Sequence, residues 1–547
     1  MTAQWTARLT QRFQNDLLIK NPLWLLQLSK QQSTLTGYLQ RSPLSDTYLS
    51  QTKCISRLYA RRILELAAAS AAYSRSQTNL QEAIQRPPSN WADFEQKDWT
   101  EELMASLGKT AWERAWLATK RLVNLGLLVS PMVLLTPLSY TSKYWNQFWW
   151  DYSKWGIEQA GPTFIKFVQW ATTRQDMFSS EFCLQLSSLR DQTNGHGWSE
   201  TEKLLISELG ENWRSLVKID DTPIGSGCIA QVYKGILLRD TPHHAKNTVI
   251  AVKVQHPNIW DKVCIDFYIL GKVATFLENL PGSLDFSNLS LRDSVDQFCN
   301  IMLPQLDLTL ESAHLKRFNR DFSNDSRVYF PIPIDELTSP KILTETFCHG
   351  QPILTYSTAS EKDRKDLAYL GLQTTLKMIF LHDFVHGDLH PGNILVNKQA
   401  DGKLNLVLLD CGLVIEMGPA QHENVVKILG AFTRRDGMLA GELMVERSKR
   451  VQASPEDIRL FVLGIHQICI DDADQNFVEH VGDYIADICY LACKHKVKLE
   501  ATFINAALAV EIIEGIATSL YPDIKVSSTA IPMVVKAEMM HRFGWNR

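Results

Sequence analysis

The chain has 547 residues, of which 45% are hydrophobic and 21% are charged. That length predicts two or more domains, and that balance is typical of a folded chain and excludes a wholly disordered one. The net charge of -4 gives no support to nucleic-acid binding, so we expect no nucleic-acid partner.

Residues 1–85 are predicted to be a mitochondrial targeting and flexible region. Residues 1–62 hold nine basic residues against two acids, with many Ser, Thr and Gln, and no apolar secretory core opens the chain. A basic, acid-poor, amphipathic start is typical of a mitochondrial transit peptide. An ordinary polar tail is the alternative.

Residues 86–150 are predicted to be helical and to carry a candidate membrane segment at 122–138. A run of about 17 apolar residues is at the lower limit for a spanning helix. Trp149 and its neighbouring tryptophans favour a membrane interface, whereas Pro131 and Pro137 weaken a spanning helix. Three interpretations stay open: a spanning helix, an interfacial segment and a buried core helix.

The rest of the chain divides into three predicted parts. Residues 151–215 are predicted to be a helical extension, and 216–350 alternate short apolar runs with turn residues, which indicates strands. Residues 351–547 are largely helical in pattern, interrupted at 386–415 by short apolar runs that predict strands. A strand-rich part therefore precedes a helical part.

The first motif is Gly225-Ser226-Gly227-Cys228, which lies before a predicted strand. Glycine allows the backbone to approach phosphates closely, and exposed backbone N–H groups can hold anions. The motif is weak alone because glycine-rich turns are common, but it matches most of the G-x-G-x-x-G-x-V pattern. These four residues are candidates for nucleotide binding.

A second motif, Ile250-Ala251-Val252-Lys253, is an apolar strand that ends in lysine. A lysine at the end of a strand is most often a solvent-exposed residue without a special role. Here its position 26 residues after Gly227 matches the V-A-I-K motif, whose lysine binds nucleotide phosphates. That lysine needs a glutamate partner on a helix. Glu311, in the predicted helix 305–319, is the best candidate.

The third and fourth motifs supply the other groups that phosphoryl transfer needs. His386-Gly387-Asp388, followed by Asn393 five residues after the aspartate, matches H-R-D-L-x-x-x-N, and Asp410-Cys411-Gly412 follows an apolar strand as D-F-G does. Asp388 is predicted to orient the nucleophile, and Asn393 and Asp410 to hold Mg²⁺. The four motifs in this order predict ATP and Mg²⁺ as cofactors.

The motifs and the element pattern together predict an α+β, bilobal protein-kinase-like fold. It has a β-rich N-lobe, a helical C-lobe and an N-terminal helical extension. The run LVIEMGP follows Gly412 and leads almost directly into a predicted helix. No long activation segment and no A-P-E motif is present there. Gly387 also stands where protein kinases keep arginine. Both features disfavour phosphoryl transfer to proteins.

These motifs closely resemble the UbiB/aarF-domain-containing atypical kinases, and the resemblance covers roughly residues 155–547. The family's K-x-G-Q helix corresponds to Lys166-Phe167-Val168-Gln169, with Val168 in place of glycine. In the family this helix lies over the active site and blocks protein substrates. Lys166 and Gln169 are three residues apart, so they share a helical face.

The family's E-x-D motif corresponds to Gln305-Leu306-Asp307, where Gln305 replaces the acid. Lys166 therefore cannot form the family's salt bridge to position 305, and Asp307 is the substitute that we expect. Lys166, Gln169 and Asp307 are thus candidate regulatory residues.

The resemblance further implies binding of ATP or ADP with Mg²⁺, little protein kinase activity, and ATPase activity that responds to membrane lipids. It implies a location at the mitochondrial inner membrane, with mitochondrial lipids and proteins of the ubiquinone biosynthesis complex as partners. An active kinase or ATPase that supports ubiquinone synthesis is one interpretation, and a pseudokinase scaffold is another. A true protein kinase or a choline-type small-molecule kinase is the third.

Overall fold

The computed structural model describes residues 103–107, 109–172, 180–186, 189, 195–279, 291–399, 402–446, 453–471, 481–497 and 499–543. The predicted targeting region, residues 1–85, lies outside the described residues. All statements below concern the described part of the chain.

Helices dominate before and after the strand-rich part. The helices are α1 (Ala111–Ser139), α2 (Lys143–Ala160), α3 (Pro162–Thr172), α4 (Ser180–Leu186), α5 (Trp198–Leu209), α6 (Ile259–Glu278), α7 (Leu291–Met302), α8 (Leu308–Asp321), α9 (Glu361–Phe380), α10 (Pro419–Thr433), α11 (Gly437–Glu446), α12 (Pro455–Asp471), α13 (Val481–Lys494), α14 (Ala501–Leu520) and α15 (Ser527–Phe543). The strands are β1 (Val217–Ser226), β2 (Ala230–Leu237), β3 (Val249–Gln255), β4 (Val328–Tyr329), β5 (Ile342–Thr346), β6 (Gln351–Pro352), β7 (Phe384–His386), β8 (Ile394–Lys398), β9 (Leu404–Leu408) and β10 (Val414–Glu416).

The first lobe is built on a sheet of order β1-β2-β3-β5 in which all neighbours are antiparallel. Alternate side chains of β2 and β3 face one side of the sheet, as the two-residue period of a strand requires. Tyr233, Ile250 and Val252 pack there with Leu205 of α5 and with Trp213. Helix α5 therefore covers one face of the sheet, and the other face is turned toward α8 and the second lobe.

The second lobe is helical around one apolar core that includes α9, α10 and α14. It carries two small sheets, of order β4-β9-β8-β6 and β10-β7, which hold the chemistry-bearing loops at their ends. The β4–β9 pair is parallel and the others are antiparallel. The predicted α+β, kinase-like fold is confirmed.

Helices α1 to α3 form the extension, and α1 is tied to α6 by a buried ion pair. The Arg121 guanidinium contacts Asp266 with Nε at 2.6 Å and a second nitrogen at 2.9 Å. Burial raises the pKa of Asp266, while Arg121 opposes that rise. A bidentate pair of this kind fixes the orientation of two helices because both hydrogen bonds must form together.

Helix α1 contains the candidate membrane segment 122–138 and is solvent-facing over most of its length. Only 11% of its apolar window is buried, against 56% for the similar window Thr502–Leu520 of α14. Both helices are long and apolar enough to cross a membrane, but α14 belongs to the core of the second lobe. The buried-core interpretation of 122–138 therefore does not fit, and the spanning and interfacial ones stay open.

Candidate nucleotide and phosphoryl-transfer site

Lys253 lies at the centre of a cluster of carboxyl groups. Its ammonium is 3.0 and 2.9 Å from the two carboxylate oxygens of Glu311 and 2.9 Å from Oδ1 of Asp410. Strand β3 delivers the lysine, α8 delivers the buried glutamate, and the end of the second sheet delivers Asp410. The structure thus brings together three predicted site residues from three separate segments.

The cluster around Lys253 contains more acidic groups than basic ones. Partial removal of Asp410 from water would by itself raise its pKa, but Lys253 outweighs this effect and holds the pKa of Asp410 well below its usual range. Burial raises the pKa of Glu311 to about 7, and it raises the pKa of Glu345, on β5, to about 8, with Glu311 adding to the rise. Three carboxyl groups therefore lie near one ammonium, and a further cation beside them would favour their ionised forms.

The catalytic loop is held by hydrogen bonds that leave the Asp388 carboxylate in the cleft. His386 is buried, accepts from the Asp388 N–H at Nδ1 and donates from Nε2 to the Leu409 carbonyl. Asn393 donates its amide N–H to the Asp388 carbonyl at 3.0 Å. Because this bond uses the Asn393 nitrogen, the amide oxygen is the atom that remains to bind a metal ion.

Gly387 has a packing reason to be glycine. Its N–H donates to the Leu413 carbonyl at 2.8 Å, since β7 pairs with β10. A Cβ at this position would lie 2.8 Å from Leu413 Cγ and 3.2 Å from the Leu413 carbonyl oxygen. A larger residue at this position therefore requires Leu413, which directly precedes β10, to move.

The glycine-rich loop, residues 225–228, joins β1 to β2 at the edge of the cleft. Gly225 opens to free space, and Gly227 closes the turn with an N–H bond to the Ala230 carbonyl at 2.9 Å. The Ser226 hydroxyl is buried and has no hydrogen-bond partner among the described residues, whereas Cys228 is buried as a core thiol.

Helix α3 brings the K-x-x-Q motif to the same cleft. Lys166 Nζ lies 3.8 Å from Oδ2 of Asp388, and Gln169 donates to the Leu189 carbonyl at 3.3 Å. Val168 points away from the cleft and packs with Trp150 and its neighbours. Replacement of the family's glycine by valine therefore fills an apolar core on the far side of the helix.

Gln305 and Asp307 have local roles. Gln305 donates back to the Ile301 carbonyl at 3.0 Å. Asp307 is the N-cap of α8, and its Oδ1 accepts from the Thr309 N–H at 3.0 Å and from the Thr309 hydroxyl at 2.6 Å. An N-cap bond fixes the start of a helix, so Asp307 supports the helix that presents Glu311.

A cavity of about 340 Å³ opens beside Asp388, between α3, α7 and α14. It combines polar groups around the aspartate with a larger apolar surface. Its lining includes Lys166, Gln169, Trp170, Phe298, Ile301, Gln305, Asp388, Glu416, Asn505, Leu508 and Ile512. The sequence did not predict the contribution of α14, because its residues form an ordinary apolar helix pattern with no motif.

Two more groups escaped sequence reasoning. His314, one turn after Glu311 on α8, holds the Cys411 carbonyl through Nδ1 at 2.9 Å and so fixes the segment that follows Asp410. Glu345 faces Ala251 across the β3–β5 pair, which brings a carboxyl group to the nucleotide side of the sheet. The helical period of three to four residues is a signal that could have found His314, since it places this residue on the same face as Glu311. No sequence pattern points to Glu345.

A family model described as the ABC1 atypical kinase-like domain matches residues 188–444. Over these residues the chain is similar to the ABC1/UbiB atypical kinases. The matched region includes the glycine-rich loop, Lys253, Glu311, the catalytic loop and Asp410.

Similar proteins come from distant organisms. The chain is 26% identical to the Dictyostelium discoideum protein named probable serine/threonine-protein kinase abkC, over 77% of this chain and 69% of that protein. It is 28% identical to an ABC1 family mitochondrial protein of Saccharomyces cerevisiae, over 78% and 75%. A Shewanella putrefaciens protein named probable protein kinase UbiB is 23% identical, over 78% of each chain.

Among solved structures, the complex of Rv3197 from Mycobacterium tuberculosis with erythromycin matches with a TM-score of 0.43 and 18% identity. The match covers 64% of this chain and 86% of that one.

Proposed function

We propose that this protein is an atypical kinase or ATPase that binds Mg-ATP between its two lobes. The observation that carries the proposal is the contact of Lys253 with both Glu311 and Asp410 at 2.9–3.0 Å. A lysine fixed in this way is preorganised to bind phosphate oxygens. Asp388, less than 4 Å from Lys166, is the carboxylate that orients the attacking group.

The residues present fit a magnesium ion that arrives with a nucleotide. Mg²⁺ prefers one or two carboxylate or amide oxygens together with phosphate oxygens and water. Asn393 supplies an amide oxygen, and Asp410, whose pKa Lys253 holds well below its usual range, supplies an ionised carboxylate. The described residues contain no group of three or more His, Cys, Asp or Glu that could hold a metal ion alone. A site completed by phosphates agrees with that finding.

The acceptor side of the site suits a small molecule with an apolar part better than a peptide. Trp170, Phe298 and Leu508 give the cavity beside Asp388 an apolar wall, and α10 begins at Pro419, soon after Asp410. Little chain is left there to form a peptide-docking platform. Support of mitochondrial ubiquinone biosynthesis, or of related lipid metabolism, is the role that the family resemblance favours.

A membrane contact through α1 is part of this proposal. Leu127, Val133 and Leu134 of α1 are 69%, 64% and 75% exposed, and exposed Trp112 and Tyr144 lie near its two ends. Apolar helices flanked by aromatic residues are typical of membrane interfaces. We therefore propose the mitochondrial inner membrane as the location, with its lipids and the proteins of the ubiquinone complex as partners. Fungal relatives are named mitochondrial.

A nucleotide-binding pseudokinase scaffold is the second candidate. The observation that favours it is Lys166, whose ammonium lies 3.8 Å from the Asp388 carboxylate and neutralises it. A carboxylate engaged by an ammonium is less available to orient an attacking group. This candidate predicts that nucleotide binds and that hydrolysis is negligible.

The test measures Mg-dependent ATP binding and ATP hydrolysis by the full chain, with and without vesicles containing cardiolipin. Asp388→Asn is compared with unmodified protein, and Asp436→Asn, on the surface of the second lobe, serves as the matched control. Binding with hydrolysis that only Asp388→Asn abolishes supports the enzyme. Binding without hydrolysis supports the scaffold, and absence of binding contradicts both.

A further inference from the structure

Two histidines lie in direct contact behind the glycine-rich loop. His196 precedes α5 and His256 follows β3, yet their Nδ1 atoms are 2.8 Å apart. The other nitrogen of His256, Nε2, is 2.8 Å from the Gly227 carbonyl oxygen. A connection therefore runs from the helical part that precedes the sheet to the loop proposed to cover the nucleotide phosphates.

The contact extends away from the loop through two hydroxyl groups. His196 Nε2 is 2.8 Å from the Thr201 hydroxyl, which is 2.6 Å from the buried Tyr233 hydroxyl. Chemistry fixes the direction of each hydrogen bond. The Gly227 carbonyl only accepts, so His256 carries a proton on Nε2, and a neutral His256 accepts at Nδ1 from His196. His196 then accepts from Thr201, which accepts from Tyr233.

This order of protons requires both imidazoles to be neutral. Burial, together with the neighbouring His256, lowers the pKa of His196 to about 4. Burial also lowers the pKa of His256, although its bond to Gly227 opposes the change. Both rings are therefore neutral at neutral pH, in agreement with the bonding.

Gln231 holds the other end of the arrangement. This side chain is fully buried, accepts from the His196 N–H at 3.1 Å and donates to the His196 carbonyl at 3.1 Å. Its backbone also pairs with Ser226 of the glycine-rich loop. A further bond at 2.9 Å joins the His256 N–H to the Ile229 carbonyl, just past the loop. The backbone of the glycine-rich loop is thus held by hydrogen bonds from residues that have hydrogen-bond partners of their own.

We infer that His256 and His196 are positioning residues for the nucleotide phosphates. Their imidazoles hold the Gly227 carbonyl against the sheet, since a carbonyl oxygen turned toward a phosphate would repel it. The trans, planar peptide then fixes the Cys228 N–H in the opposite direction. The inference rests on the proposed nucleotide site and adds to it the residues that set the shape of the loop.

The test compares ATP with adenosine, which lacks the phosphates, by titration calorimetry on the full chain. His256→Leu removes the bond to Gly227, and we expect its ATP dissociation constant to rise about five- to tenfold, the value of one hydrogen bond. Adenosine binding stays unchanged. His256→Gln restores ATP binding because the Gln side-chain N–H reaches the place of imidazole Nε2. His243→Leu, on an exposed loop, is the matched control.

His196→Leu provides a second variant, with a smaller loss of ATP affinity expected because it acts through His256. Normal ATP binding by His256→Leu overturns the inference and leaves the proposed function standing. Equal losses for ATP and adenosine also overturn it, since they indicate a general role in folding. Absence of ATP binding by the unmodified chain overturns the proposed function and the inference with it.

Discussion

Replacement of Lys253 by methionine tests how the carboxyl cluster is held together. Glu311 is only 4% exposed, so removal of the ammonium leaves a buried carboxylate without its partner. Breaking a buried ion pair from one side costs about 3–5 kcal/mol. Asp410 adds little to this cost because its side chain is 48% exposed and regains water. We therefore expect Lys253→Met to lower the free energy of unfolding by about 3 kcal/mol at neutral to alkaline pH.

The pH dependence has a definite sign. The pKa of Glu311 is already raised to about 7 and rises further without Lys253. A carboxyl group with a raised folded-state pKa destabilises the fold progressively as pH rises from its unfolded pKa, near 4.5, through the folded value. The loss in Lys253→Met is therefore smaller near pH 5 than near pH 8.

Denaturant unfolding of the full chain at both pH values measures the loss. The double variant Lys253→Met with Glu311→Gln is the control, since it removes the buried charge and recovers most of the stability. A loss below about 1 kcal/mol near pH 8, or no recovery in the double variant, refutes the reasoning.

Three further predictions concern the same site. Asp410→Asn is expected to abolish the strengthening of ATP binding by Mg²⁺ and to leave adenosine binding unchanged. The measurement is the ratio of the ATP dissociation constants with and without Mg²⁺, and an unaltered ratio contradicts the assignment of Asp410 as a metal ligand. Gly387→Ala forces a methyl group against Leu413 and lowers the free energy of unfolding by about 1–3 kcal/mol, whereas Gly126→Ala, with open space around it, is neutral or stabilising. Glu345→Gln removes a carboxyl whose pKa is raised to about 8, so the variant gains stability over the unmodified chain as pH rises from about 5 to about 8 in unfolding titrations; parallel pH profiles contradict this.

The local chemistry of the site was readable from the sequence. Gly225, Asp388, Asn393 and Asp410 stand at the ends of strands or in short turns whose spacing is fixed by a few residues of chain, and Lys253 lies within β3. Motifs of that kind survive as sequence patterns because turn geometry allows few residue types at each position. The same reasoning predicted the α+β, two-lobed fold, because strand and helix periodicities differ over short windows.

Glu311 was predictable for a different reason. A buried lysine needs an opposite charge, and the best candidate was the acid in the predicted helix 305–319. The exact role of Asp307 was not predictable, because an aspartate before a helix is equally able to cap it or to reach across a cleft. The structure uses it as the cap of α8.

Only the tertiary structure decided which distant segments meet. Lys166 and Asp388 are 222 positions apart in the sequence, and His196 and His256 are 60 positions apart. Neither pairing leaves a periodic trace, because side-chain periodicity reports only which face of an element is buried. The cavity beside Asp388 was likewise not predictable from the sequence. The apolar residues of α14 have the pattern of an ordinary core helix, and only the fold places part of that helix beside the catalytic aspartate.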